Sequence, residues 1–126
     1  MQGILLFGHG ARNPDWARPA EALREAIRRR CAQTPVELGF LELMRPTFDE
    51  AVGSLVDRGV AEIVVIPMFM ASGRHLQRDL PQMAAQAMDR HPGLTIALVA
   101  PVGEAPPVVA AMAEYALDAL RTLSGD

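Results

Sequence analysis

Apolar and polar positions follow two rhythms along the chain, and the two rhythms take turns. Four short runs are mostly apolar: Gly3 to Gly8, Val36 to Leu43, Glu62 to Met68 and Leu94 to Val99. Such runs read as strands buried on both faces of a parallel sheet. Between them apolar residues recur at helical spacing. The first helix is expected after Asn13 as N-cap, with Pro14 at its first position and Trp16, Ala20, Leu23, Ile27 and Cys31 turned inward. Arg24, Arg28, Arg29 and Arg30 take its other faces and its last turn, where the helix dipole favours positive charge. The second opens on the capping box Thr47-Phe48-Asp49-Glu50, buries Phe48, Val52 and Leu55, and stops at Gly59. The third is read from Asp79-Leu80-Pro81-Gln82 as cap and start, and ends near His91-Pro92-Gly93. Pro106 and Pro107 open the last, with Val109, Met112, Ala113, Ala116, Leu117 and Leu120 inward.

Strict alternation of β and α predicts an α/β fold: a four-stranded parallel sheet with helices on both faces. Right-handed crossovers limit its topology. The common order puts strand two on one side of strand one and strand three on the other, so the loops leaving strands one and three part around a crevice. At 126 residues the chain is expected to form a single domain over residues 1–126.

Charge and composition narrow the partners. All twelve basic residues are Arg, and fifteen acids bring the net charge to -3, which argues against a nucleic-acid binder. Cys31 is the only cysteine and reads as a small buried hydrophobe on a helix. No stretch is long enough to span a membrane, and the opening run lacks the basic flank of a signal peptide; a cytoplasmic setting is the expectation.

The candidate chemistry sits just past the strands. His9, in Gly8-His9-Gly10, follows the first; His75, in Gly73-Arg74-His75, follows the third. Two imidazoles facing one crevice could hold a metal or move protons, and two are too few for a closed structural zinc site. Glu42 is read as the end of strand two, a carboxylate near the same rim. Arg12, Arg45, Arg74 and Arg78 gather there as well, which fits an anionic ligand. Met44, Met68, Phe69 and Met70 could wall a large flat molecule, although core packing also explains most of them. His91, before Pro92, suits a helix end and needs no further role. Neither a dinucleotide fingerprint nor a P-loop occurs around Gly8-His9-Gly10.

Three motifs carry a family resemblance. Leu6-Phe7-Gly8-His9-Gly10-Ala11-Arg12-Asn13-Pro14 is similar to the HGSR-x-P opening of the class II chelatases of the sirohydrochlorin cobaltochelatase and ferrochelatase (CbiX/SirB) type. Phe40-Leu41-Glu42-Leu43-Met44-Arg45-Pro46 resembles their FLEL-x-x-P segment. The stretch from Ile66 to Pro81 resembles their P-L-F-L-x-x-G-x-H-x-x-x-D-[IL]-P motif. The resemblance implies insertion of a divalent metal (Co2+, Fe2+ or Ni2+, as substrate) into the tetrapyrrole sirohydrochlorin, with no nucleotide. It implies His9 and His75 as metal-binding and catalytic residues and Glu42 as a catalytic carboxylate. Arg12, Arg45, Phe69, Met70, Ser72 and Gly73 are the expected substrate contacts, the two arginines being chosen for their charge. It further implies the short, single-domain form, which pairs as a homodimer. Ala11 replaces the usual Ser, and Gly103-Glu104-Ala105-Pro106 follows the family pattern only loosely.

Two other readings compete. A histidine phosphatase would need Arg directly before His9, where Gly8 stands. A metal- or tetrapyrrole-binding module without turnover would keep the same residues.

Overall fold

The computed structural model describes residues 1–125. Its elements are β1 (Gln2–Gly8), α1 (Arg18–Arg30), β2 (Val36–Phe40), α2 (Phe48–Asp57), β3 (Glu62–Pro67), α3 (Arg74–Arg90), β4 (Thr95–Leu98) and α4 (Pro106–Leu123), with 3-10 turns at Pro14–Ala17 and Val102–Glu104. The strands form one parallel sheet in the order β2-β1-β3-β4. The α/β class and the expected topology hold, and the carboxyl ends of β1 and β3 lie side by side.

Alternate residues of each strand face opposite layers. Leu5, Phe7, Ile63 and Val65 face α2 and α3, where Phe48, Val52, Leu55, Leu80 and Ala87 complete a buried cluster. Leu6, Val36, Leu38 and Phe40 face α1, against Ala17, Leu23 and Ile27. Leu55 is wholly buried in the first cluster. Leu55→Ala is expected to cost about 2–5 kcal/mol, read as a lower midpoint in urea denaturation.

Four local expectations are corrected. β2 ends at Phe40, not Leu43: the Phe40 N–H turns to the Pro46 carbonyl (2.9 Å), and Leu43 takes a left-handed φ of 67°. Glu42 is therefore a loop residue. α3 starts at Arg74, five residues before the expected cap, and runs through Pro81. Proline inside a helix removes one hydrogen bond, but Leu76, Leu80, Met83, Ala84 and Ala87 form a continuous stripe against the sheet, and that burial keeps the helix whole. The first helix begins as a 3-10 turn, which leaves Trp16 69% exposed, and Cys31 is exposed at the end of α1, its Sγ 2.9 Å from Thr34 Oγ1. The stripe of α4 is not inward: that helix has no buried residue.

Candidate functional site

Backbone pairing runs past the ends of β1 and β2 and brings their loops together. The Leu41 N–H donates to the Gly8 carbonyl (2.9 Å) and the Glu42 N–H to the His9 carbonyl (3.2 Å). The side chains meet as well, with His9 Nε2 3.3 Å from Glu42 Oε1. They are 63% and 55% exposed, so the contact adds little stability and both groups stay open to a ligand.

Gly10 permits this approach. Its φ is 94°, and a Cβ there would stand 1.9 Å from the Glu42 carbonyl oxygen. The space beside Gly10 is filled by the backbone of the neighbouring loop.

An aromatic chain braces His9 from the core. Phe7 meets Phe48 edge-on at 5.5 Å and Phe69 at 6.0 Å, and Phe69 in turn meets the His9 ring at 6.4 Å. Phe69 therefore has a packing role whatever else it touches. Met70, the next residue, is exposed.

Beyond β3 the chain turns through Ser72 and Gly73 into α3. Gly73 is the N-cap in extended conformation and gives no side-chain cap, so the first turn of α3 keeps unsatisfied N–H groups and the positive end of its dipole. The Ser72 carbonyl accepts a hydrogen bond from Gln77 Nε2 at 3.3 Å. Arg74 and His75 occupy that first turn. A cleft of about 270 Å³ brings His9, Phe69, Gly73, Arg74, His75 and Asp79 onto one lining. The two expected histidines thus share a cleft at the carboxyl edge of the sheet. Among the described residues no three His, Cys, Asp or Glu side chains are grouped as a metal cluster. A larger hollow of about 490 Å³ lies on a face of the sheet and contains neither histidine.

Asp79 was read as a helix cap and missed as a lining residue. Its signal was the four-residue step from His75, which shares a face only once the helix starts at Arg74.

The arginines separate by their partners. Arg45 is bonded through Nε and NH2 to both oxygens of Glu50, the acid of the capping box at the start of α2. It braces the loop that carries Glu42, and its side chain is exposed. Arg12 and Arg74 are exposed and have no ion-pair partner among the described residues.

The Arg45 hydrogen bonds, then the Thr47 N–H, hold the Glu50 carboxyl down to about 2 from an ordinary 4.5. A carboxyl lowered on folding stabilises the fold above its unfolded pKa and stops doing so as the pH falls through the folded one. The contribution of Glu50 is expected to be complete above about pH 4.5 and to fade toward pH 2. Glu50→Gln should flatten that part of a stability–pH curve; an unchanged acid limb would contradict it.

Comparison with known proteins places this geometry in a lineage. The family model described as CbiX matches residues 3–119.

The chain belongs to the CbiX family.

It is 41% identical over 83 residues to the sirohydrochlorin cobaltochelatase of Methanopyrus kandleri, covering 66% of this chain and 58% of that protein. It is 34% identical over 91 residues to the sirohydrochlorin cobaltochelatase of Methanocaldococcus jannaschii, covering 72% and 64%. The chain thus matches about three-fifths of the length of these curated relatives. Among solved structures, a CbiX protein of cobalamin biosynthesis from Marinobacter aquaeolei superposes with a TM-score of 0.83 at 29% identity, over 97% of this chain and 99% of that one. The sirohydrochlorin chelatase SirB of Bacillus subtilis, in complex with cobalt, superposes with a TM-score of 0.69 at 31% identity, over 80% of this chain and 43% of that one.

Proposed function

We propose that this CbiX-family chain inserts a divalent metal into sirohydrochlorin. The observation that carries the reading is the cleft that His9 shares with His75 at the carboxyl ends of adjacent parallel strands, with Glu42 3.3 Å from His9. The names of the relatives support the substrate, and cobalt in the Bacillus SirB complex supports the metal class. Imidazole and carboxylate ligands suit cobalt, iron and nickel alike, so supply decides among them.

The reaction exchanges two pyrrole N–H protons for one M2+. Two imidazoles leave coordination positions of the ion open, so that it can pass on to the macrocycle. His9 accepts one of the two protons as metal–nitrogen bonds form, Glu42 stabilises the resulting imidazolium across their 3.3 Å contact, and the second proton leaves to water at the open mouth of the site. His75 guides the metal from the α3 side. Arg12 and Arg74 meet peripheral carboxylates, aided by the open first turn of α3 at Ser72 and Gly73. Phe69 and Met70 offer an apolar wall to the ring. Arg45 acts one step removed, by holding the Glu42 loop. The macrocycle is large beside a cleft of about 270 Å³, so a second copy of the chain closes over its other face.

The test is titration of the purified protein with sirohydrochlorin and Co2+, Fe2+ or Ni2+ in turn. A faster insertion spectrum than the protein-free control is expected with at least one metal. Binding without acceleration would make the chain a carrier and overturn the proposal.

A further inference from the structure

Asp79 lines the cleft but has no part in the proton transfer proposed above. It stands on α3 four residues after His75, and both line the hollow of about 270 Å³ that also holds His9. The seating of the helix fixes this. Leu80 is buried in the core and Leu76 packs against it, so the residue before each lies on one flank of the buried stripe. Those two residues are His75 and Asp79. The first turn beneath them is pinned twice: the Gln77 N–H donates to the Gly73 carbonyl at 3.0 Å, and Gln77 Nε2 to the Ser72 carbonyl at 3.3 Å.

The helix itself gives no reason for an acid at this position. Its dipole rewards a carboxylate in the first turn, yet the first turn of α3 has none, and Asp79 lies in the second. The N-cap is Gly73, so Asp79 caps nothing. Its ion contact is Arg78 Nε at 3.9 Å, beyond hydrogen-bond reach, with the two side chains 69% and 54% exposed. Such a surface pair contributes little and leaves the carboxylate available.

The two sides of the cleft carry an imidazole and a carboxylate each, in different states. His9 already touches Glu42, which suits a ring that must hold a proton. Among the described residues no such contact joins His75 to an acid; its ring and the Asp79 carboxylate stand on successive turns. Cβ atoms four residues apart on a helix are separated by roughly 5–6 Å. An ion with bonds of about 2 Å to nitrogen and to oxygen spans that gap. The same four-residue step supplies the two helical histidines of the H-E-x-x-H zinc motif. Imidazole with carboxylate is a fitting donor set for divalent cobalt, iron or nickel. The carboxylate also offsets positive charge beside Arg74, an exposed guanidinium on the same lining.

We infer that His75 and Asp79 form a capture site, which takes the divalent ion from solvent before the macrocycle receives it. The ion exchanges two of its waters for the imidazole and the carboxylate. Both donors are exposed, so the hydrated ion reaches them, and His9 faces the same cleft. Two protein ligands leave the other positions to water, which keeps the ion transferable. The inference deepens the metal-insertion reading, on which it rests, by adding a residue to the path of the ion. Half of its test needs no sirohydrochlorin.

The experiment is calorimetric titration of Co2+ into the wild type, D79N and D79H without tetrapyrrole, followed by insertion rates measured against Co2+ concentration. The Asp79 side chain is 54% exposed, so thermal melting of the variants should match the wild type. D79S stands in should D79N melt early. D79N is expected to bind Co2+ about 10-fold or more weakly, since even a group that only supports a ligand costs that much. D79H should bind close to wild type, because an imidazole four residues after His75 supplies a donor without the charge. In the insertion assay D79N should need about 10-fold more Co2+ for half its maximal rate and keep that maximal rate. Unchanged Co2+ affinity in D79N would overturn the inference. So would a D79H protein as weak as D79N, which means that Asp79 acts by charge alone. A D79N protein with a lower maximal rate at an unchanged half-saturating Co2+ concentration would overturn it too, since the acid would then serve the chemistry and not the capture. Binding lost in D79N and restored in D79H, in a protein that does not speed insertion, would support the capture site and count against the insertion reading alone.

Discussion

His9→Ala is expected to slow metal insertion by on the order of 10²–10⁴-fold, the range a positioned proton acceptor supplies. The fold should not notice, because the ring is 63% exposed and surface changes usually stay within about 0.5 kcal/mol. Loss of rate at constant thermal midpoint is therefore the expected signature. His75→Ala should lose rate too, with a rise in the metal concentration needed for half-maximal rate, since its proposed task is delivery. Glu42→Gln keeps the shape of the contact and removes its charge, so it should be slower than wild type but faster than His9→Ala. If His9 and Glu42 act as one unit, the double variant will be hardly slower than His9→Ala alone. Multiplied losses would mean independent roles. Full insertion rates in both histidine variants would remove the mechanism altogether.

The legible part of this site was what period and strand-end position determine. Alternation of apolar runs with helical stripes led to the sheet, its order followed from crossover handedness, and the order put His9 and His75 on one crevice. The misreadings have local causes. Pro81 dominated the reading of α3 because proline is a strong start signal, yet the stripe from Leu76 to Ala87 already ran through it. That error hid Asp79, which shares the cleft with His75 only when both lie on one helix. Glu42 looked like the end of a strand because Leu41 and Leu43 continue the apolar run. The left-handed turn at Leu43 and the return of the chain to Pro46 depend on contacts that periodicity does not carry. The pairing of Arg45 with Glu50 was hidden for a related reason: the capping box was visible, but not that its acid would engage a rim arginine as well. The stripe of α4 was visible too, but periodicity shows only that a face is apolar, not that it is buried, and this helix has no buried residue.

Gly10→Ala is expected to disable the site although it leaves His9 and Glu42 chemically intact. Two costs fall on one methyl group. The φ of 94° lies where an L side chain is strained, and the new Cβ would sit 1.9 Å from the Glu42 carbonyl oxygen and 3.1 Å from its carbon. A carbonyl in a loop held by the Glu42 N–H to His9 bond cannot yield by rotating a side chain; the backbone itself must move. The loops should separate, the 3.3 Å His9–Glu42 contact should open, and stability should fall by about 1–3 kcal/mol in urea denaturation. Insertion should slow nearly as far as in His9→Ala, which leaves stability alone; only the glycine variant loses both. Gly73 gives the internal comparison. It has an ordinary φ of -72° and nothing within 4 Å of a Cβ, so Gly73→Ala meets no clash and should change stability by less than about 1 kcal/mol, the N-cap preference for Gly over Ala offsetting the chain-entropy gain. A Gly10→Ala protein as stable and as fast as wild type would show that the two loops do not need their close approach, and that His9 and Glu42 act without touching.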